Sequence, residues 1–194
     1  MSNLQNGRRT FLQVGMLGFC TSLLAGLPKF TFAGSASNGS KGIVVRADEG
    51  THILTGRRKV PITVKISKAK HAVEGISFCV EEQSPGRTMR IHKHLYNDEL
   101  IFIHKGEGIL TLDEEKIHVK TGDVVFIPRN TWHGLDNSGR ETMHMVFQYS
   151  PAGFEEFFLE NGTQAGTAPK ERSEEEYAAT SKKYGMVFQD NVTR

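Results

Sequence analysis

Three histidines and one glutamate carry the chemistry that this sequence advertises. His92 and His94 stand one residue apart in "MRIHKH", Glu99 follows in "NDEL", and His133 comes later in "NTWHG". On an extended strand, residues i and i+2 project from one face with Cα atoms about 6.6 Å apart, so both imidazoles of the first pair can converge on one point. A half-buried strand gains nothing from polar groups there unless something satisfies them. Three imidazole nitrogens and a carboxylate oxygen suit a divalent first-row metal ion; Fe, Mn, Ni, Cu, Co and Zn all fit, since no thiolate joins the set.

Glu99 has the wrong parity for a strand running on from His94. Asn97 and Asp98 are good turn formers, so a reversal there would let Glu99 begin the next strand facing the same interior. His133, after the Pro128 turn, would enter from a third strand. Arg90 shares the parity of His92 and His94 and is a candidate contact for an anionic substrate group, against the alternative of a solvated rim residue. Ile101, Ile103 and Trp132 are candidate pocket walls, while Met89 and Phe102 should pack behind the sheet. His52, His71, His104 and His118 belong to no motif, and His144 is expected to face outward or to support the site.

The elements that must position these residues are short and alternating. From 43 to about 149 the chain runs through "GIVVRA", "VPITVKIS", "GISFCVEE", "ELIFIHK", "GILTLD", "KIHVK", "DVVFIP" and "MHMVFQY", broken by Gly and Asp. That pattern predicts an all-β sandwich or barrel over 43–150. The tail, 151–194, turns helical. Phe154, Phe157 and Phe158 form an apolar stripe stopped by Gly162, and Ser173 with Glu176 makes a capping box for a helix that ends at Gly185. Tyr177 and Tyr184 should face the same way. The helices are expected on the outside of the β domain, with a lid or a homodimer contact as the other option.

The front end reads as an address. "GRRTFLQ" followed by an apolar run and "TFA" resembles a twin-arginine signal peptide over 1–33, which implies the twin-arginine translocation machinery as a partner and a periplasmic or otherwise exported protein. Residues 34–42, "GSASNGSKG", predict a flexible lead-in. Arg8, Arg9 and Lys29 are the only charged residues among the first 33, so without that segment the net charge falls from +2 to −1. Such a balance gives no electrostatic reason to expect nucleic acid as a partner. After cleavage Cys79 is the one cysteine left, which excludes an intramolecular disulfide and reads as a small buried hydrophobe.

Two blocks tie these readings together. Gly86, His92, His94, Glu99 and Gly106 fill G-x5-H-x-H-x4-E-x6-G; Gly122, Pro128, Asn130, His133 and Asn137 fill G-x5-P-x-N-x2-H-x3-N. They resemble the two motifs of the cupin superfamily, departing once, at Asn130, where glycine is usual and where asparagine tolerates the left-handed backbone. With the flanking strands and tail, the chain resembles bacterial single-domain cupins of the type-2, quercetinase-like kind. The resemblance implies a double-stranded β-helix, or jelly-roll barrel, with C-terminal helices. It also implies one divalent metal on His92, His94, Glu99 and His133, and dioxygenase-like oxidoreductase chemistry on a small molecule with Glu99 as ligand or proton acceptor. A metal or small-ligand binding protein without turnover is the alternative.

Overall fold

A computed structural model describes residues 41–55, 59–169 and 171–189. The expected signal peptide, and all of the lead-in before Lys41, lie outside the described residues.

Among the described residues, twelve strands and three helices follow in chain order: β1 Thr51–Thr55, β2 Val60–Ile66, α1 Lys68–His71, β3 Phe78–Gln83, β4 His92–His94, β5 Asp98–Lys105, β6 Glu107–Leu112, β7 Glu115–Lys120, β8 Val124–Ile127, β9 His133–Asp136, β10 Met143–Ser150, α2 Glu155–Asn161, β11 Thr163–Gln164, α3 Glu174–Lys183 and β12 Met186–Phe188. They form two antiparallel sheets. One has seven strands in the order β11-β1-β2-β3-β10-β5-β8, the other five in the order β12-β4-β9-β6-β7. This is the all-β architecture expected from the strand pattern, in the jelly-roll form that the resemblance implies.

Alternation along each strand decides what faces inward. In β10, Met143, Met145, Phe147 and Tyr149 are buried while the residues between them are not. In β5, Glu99, Ile101 and Ile103 are buried, and Leu100 and Phe102 lie half-buried on the other face. Cys79 is fully buried on β3 and free, and burial pushes its thiol pKa well up. A small inert side chain is the right description.

The motif residues outside the cluster prove to be backbone devices. Gly106 has φ +93°, and a Cβ there would come within 2.9 Å of the Met143 backbone, so a side chain is excluded twice over. Asn130 does take the left-handed backbone, at φ +69°. Asn137 ties three turns: its Nδ2 donates to the Gln83 and Glu141 carbonyls, and its Oδ1 accepts from Gly139 N.

Four expectations need correction. "GIVVRA" is not a strand; Ile43 and Val44 are exposed, and the first strand is β1, where Ile53 has a core to enter. A single helical turn, α1, interrupts the strands, started by Ser67, whose side chain accepts from Lys70 N. The turn at Asn97 does bring Glu99 to the same interior, but by a crossing and not a reversal within one sheet: β4 lies in the five-stranded sheet and β5 in the seven-stranded one. Asn97 is buried and donates to the Pro151 carbonyl at 2.7 Å, which pins that crossing.

The fourth concerns the tail. Helix α2 is not on the outside. Phe154 and Phe158 meet the inward rings of Phe147 and Tyr149 at centroid distances of 4.7 to 6.4 Å, so the helix closes the interior of the seven-stranded sheet. Helix α3 then packs on α2, both Tyr177 and Tyr184 meeting Phe157. The capping box at Ser173 and Glu176 forms as expected.

Candidate metal centre

The centre is assembled by register. In β4, the shortest strand with a ligand, His92 and His94 face inward and Lys93 outward. His133 opens β9 and pairs directly with His92, which puts the two rings on one face with centroids 4.3 Å apart. Glu99 arrives from the opposite sheet. One ligand atom from each of the four lies within 4.8 Å of the other three. Two donors bound at 2.0–2.2 Å on opposite sides of one ion are about 4.4 Å apart, so slight settling suffices.

The buried atoms point the same way. Oε2 of Glu99 lies 2.9 Å from His133 Nε2 and 3.2 Å from His94 Nε2, yet neither contact has hydrogen-bond alignment, and all three atoms are left without a hydrogen-bond partner. Atoms so placed converge on a point between them more than on one another, and a buried orphan of this kind calls for an ion or another partner. The outer nitrogens fit too. Nδ1 of His92 and of His133 face the carbonyls of Arg90 and Thr131 at 2.9 and 3.0 Å, the arrangement that turns Nε2 toward a metal. The donor set fits a divalent first-row ion.

Charge follows the same logic. Burial, then the neighbouring histidines, drives the pKa of His92 well down; burial also lowers that of His94. Burial alone would raise Glu99, but its contacts with His133 and His94 outweigh that and hold the carboxyl well below the usual range. Burial opposes protonation of His133, and the Glu99 contact overcomes it. Neutral imidazoles with an ionised carboxylate are the state that binds a cation, so His92, His94 and Glu99 are already in it and an ion would displace the proton that Glu99 favours on His133.

The remaining candidates separate. Ile101 and Ile103 sit in the core on the Glu99 face, whereas Trp132 does not line the interior: its ring lies 4.5 Å from Nζ of the outward-facing Lys93. Met89 packs against the core edge. His104 is exposed, and His144 is turned outward toward Glu82. Arg90 is exposed at the rim, its guanidinium 4.3 Å over the Phe188 ring.

Four contributors escaped the sequence reading. Tyr149 pairs with Glu99 across the ladder, and burial with the Glu99 charge keeps its phenol protonated well above the usual range. Glu81 and Gln83 also face inward from β3, where the parity of Cys79 was the available signal. Phe188 could not be placed from sequence, because its position depends on the pairing of β12 with β4.

Residues 79–149 match the family model of the cupin domain. An uncharacterized protein of Methanocaldococcus jannaschii is 36% identical over 72 residues, 37% of this chain and 58% of that protein. The oxalate-binding protein of Thermotoga maritima is 26% identical over 110 residues, covering 54% and 91% of the two chains. Quercetin 2,3-dioxygenase of Bacillus subtilis is 28% identical over 122 residues, covering 62% of this chain and 35% of the enzyme. The chain spans about half the length of the curated relatives it matches first. Among solved structures, a predicted oxalate decarboxylase from T. maritima aligns with a TM-score of 0.51 and 24% identity over 56% of this chain and 99% of that one, which shows the fold. The match over 79–149, together with the jelly-roll fold, supports placing this β domain in the cupin superfamily.

Proposed function

We propose that the chain is an exported, metal-dependent oxidoreductase of the dioxygenase type, acting on a small organic molecule. The observation that carries this reading is the convergence of four buried ligand atoms, three of them without a hydrogen-bond partner, on one point. A divalent ion held by His92, His94, Glu99 and His133 would supply Lewis acidity and open positions for small oxygen ligands. Within that site the Arg90 and Thr131 carbonyls hold the His92 and His133 rings in orientation. Glu99 would serve as the fourth ligand or, released from the ion, as the acceptor for a substrate hydroxyl proton. Ile101, Ile103 and Phe154 exclude water, and Arg90 at the rim receives an anionic group. The names of the quercetin dioxygenase and oxalate-binding relatives support an oxygen-rich small molecule as substrate.

Export rests on "RRTFLQ" and the apolar run behind it. A twin-arginine route delivers folded protein, so the ion can be chosen before the chain meets copper and zinc outside. Replacing Arg8 and Arg9 with lysine should leave the protein in the cytoplasm.

Enclosure favours a second reading, a binding protein without turnover, since each of the four ligands is no more than 6% exposed. Oxygen uptake with flavonols, catechols and enols, at full metal occupancy, separates the two. Consumption of oxygen with one of these supports the oxidoreductase. Binding without consumption supports the receptor.

A further inference from the structure

We infer that strand β12 makes Arg90, Phe188 and Tyr177 a recognition station for a planar organic anion at the edge of the metal centre. This rests on reading the four-ligand cluster as a metal centre and names the substrate class that the centre would take.

Position comes first. Strand β12 pairs antiparallel with β4, with Phe188 opposite His92 and Met186 opposite His94. Directly opposed side chains share a face, so Phe188, His92 and His133 form one row across the sheet. The Phe188 and His92 ring centroids are 6.2 Å apart. The strand is fixed at both ends, by Leu95 N donating to Gly185 O at 2.8 Å and Gln189 N donating to Ile91 O at 3.1 Å. Gly185 turns the chain into it at φ +71°; a Cβ there would come within 2.6 Å of the Tyr96 ring. Tyr177, Gly185 and Phe188 lie outside the 79–149 stretch that matches the cupin family model, so the chain's own tail adds the aromatic wall to Arg90, which lies within that stretch.

Chemistry follows. The Arg90 guanidinium lies 4.3 Å over the Phe188 ring, and Tyr177 stacks on Phe188 at 6.1 Å and 24°. Stacking occupies the flat face of a guanidinium and leaves its N–H edges, which match a carboxylate in the bidentate manner. Among the described residues those edges make no ion pair or hydrogen bond. A cation held flat by an aromatic face, with its donors free and a histidine row beside it, suits a carboxylate or enolate on a flat body. The anion meets the N–H edges, the body lies against the rings, and a second oxygen reaches inward past His92.

Three probes test this: benzoate, cyclohexanecarboxylate with the same charge but no plane, and benzamide with the plane but no charge. The full chain is loaded with Co(II), its metal content is measured, and binding is followed by calorimetry and by the visible Co(II) spectrum. Benzoate should bind about five-fold tighter than cyclohexanecarboxylate, and Phe188→Leu should erase that difference. Arg90→Gln should weaken benzoate about tenfold or more and leave benzamide unchanged. Metal-loaded protein that binds both carboxylates equally, binds neither, or is indifferent to both substitutions overturns the inference alone. Protein that takes up no metal overturns it together with the metal-centre reading.

Discussion

Phe154 sets its ring edge-on against the imidazole of His94, with centroids 4.1 Å apart and planes at 71°. A helix encoded beyond the last strand of the matched domain thereby braces a residue of the first motif. His94 has no hydrogen bond on its outer nitrogen, unlike His92 and His133, so its orientation depends on packing. Tyr149, at 5.1 Å, is the other ring against it.

Phe154→Ala should therefore do two things. Truncating a fully buried phenylalanine costs about 3–5 kcal/mol of folding stability, read from urea denaturation. It should also lower metal retention, whereas Phe158→Ala, which removes a ring that does not touch His94, should cost stability and spare the metal. Equal metal loss in both variants counts against the bracing role.

Chelation gives a direct check on the centre. An ion present at a hundred times its dissociation constant stabilises the fold by about 2.7 kcal/mol, so stripping it should lower Tm measurably. His94→Ala should lose the metal and the chelator response together. A wild-type Tm indifferent to chelator would leave the cluster without an ion.

Glu81 predicts a pH dependence of known sign. Burial raises its pKa to about 7, against which the hydrogen bond from Gln83 Nε2, at 2.9 Å, works in the other direction. Between the unfolded value of 4.5 and about 7, the unfolded chain has released this proton while the folded one keeps it. Stability then falls as pH rises through that window, by on the order of 3 kcal/mol at most, and levels off above it. Glu81→Gln should match wild type near pH 4.5, exceed it at pH 8, and flatten the slope between. A wild-type profile already flat across that range sinks the prediction.

Asn130 sits where the second motif usually has glycine. Asn130→Gly should be nearly neutral, and Asn130→Ala should cost about 1–2 kcal/mol, because alanine pays the left-handed penalty without asparagine's local hydrogen bonding. Denaturation midpoints of the two variants measure the difference. The backbone N–H of Asn130 also donates to the His94 carbonyl at 2.7 Å, so the backbone strain of the alanine variant should loosen metal binding as well.

What could be read in advance follows from the range of the forces involved. Strand parity is a local property, so the inward set on β5 and the burial of Cys79 were visible in alternation alone. His92, His94, Glu99 and His133 were visible because their spacing repeats a known pattern. The inner faces of β3 were half-visible: Cys79 was assigned inward, and Glu81 and Gln83 share its parity. What escaped depends on partners distant in sequence. "GIVVRA" has the composition of a strand, but among the described residues it pairs with none. The phenylalanines of α2 announce an apolar stripe, but nothing local says that the stripe enters the interior. Trp132 looks like a wall until Lys93 is seen to hold it on the other side.

The ligands are drawn from both plates of the sandwich: His92, His94 and His133 from one, Glu99 from the other. An ion seated among them is then a rivet through two plates, and extracting it frees the seam along which they face each other. Proteolytic nicking within Leu95–Asn97, the short strap that crosses that seam, should be faster in the apoprotein than in the metal-loaded protein.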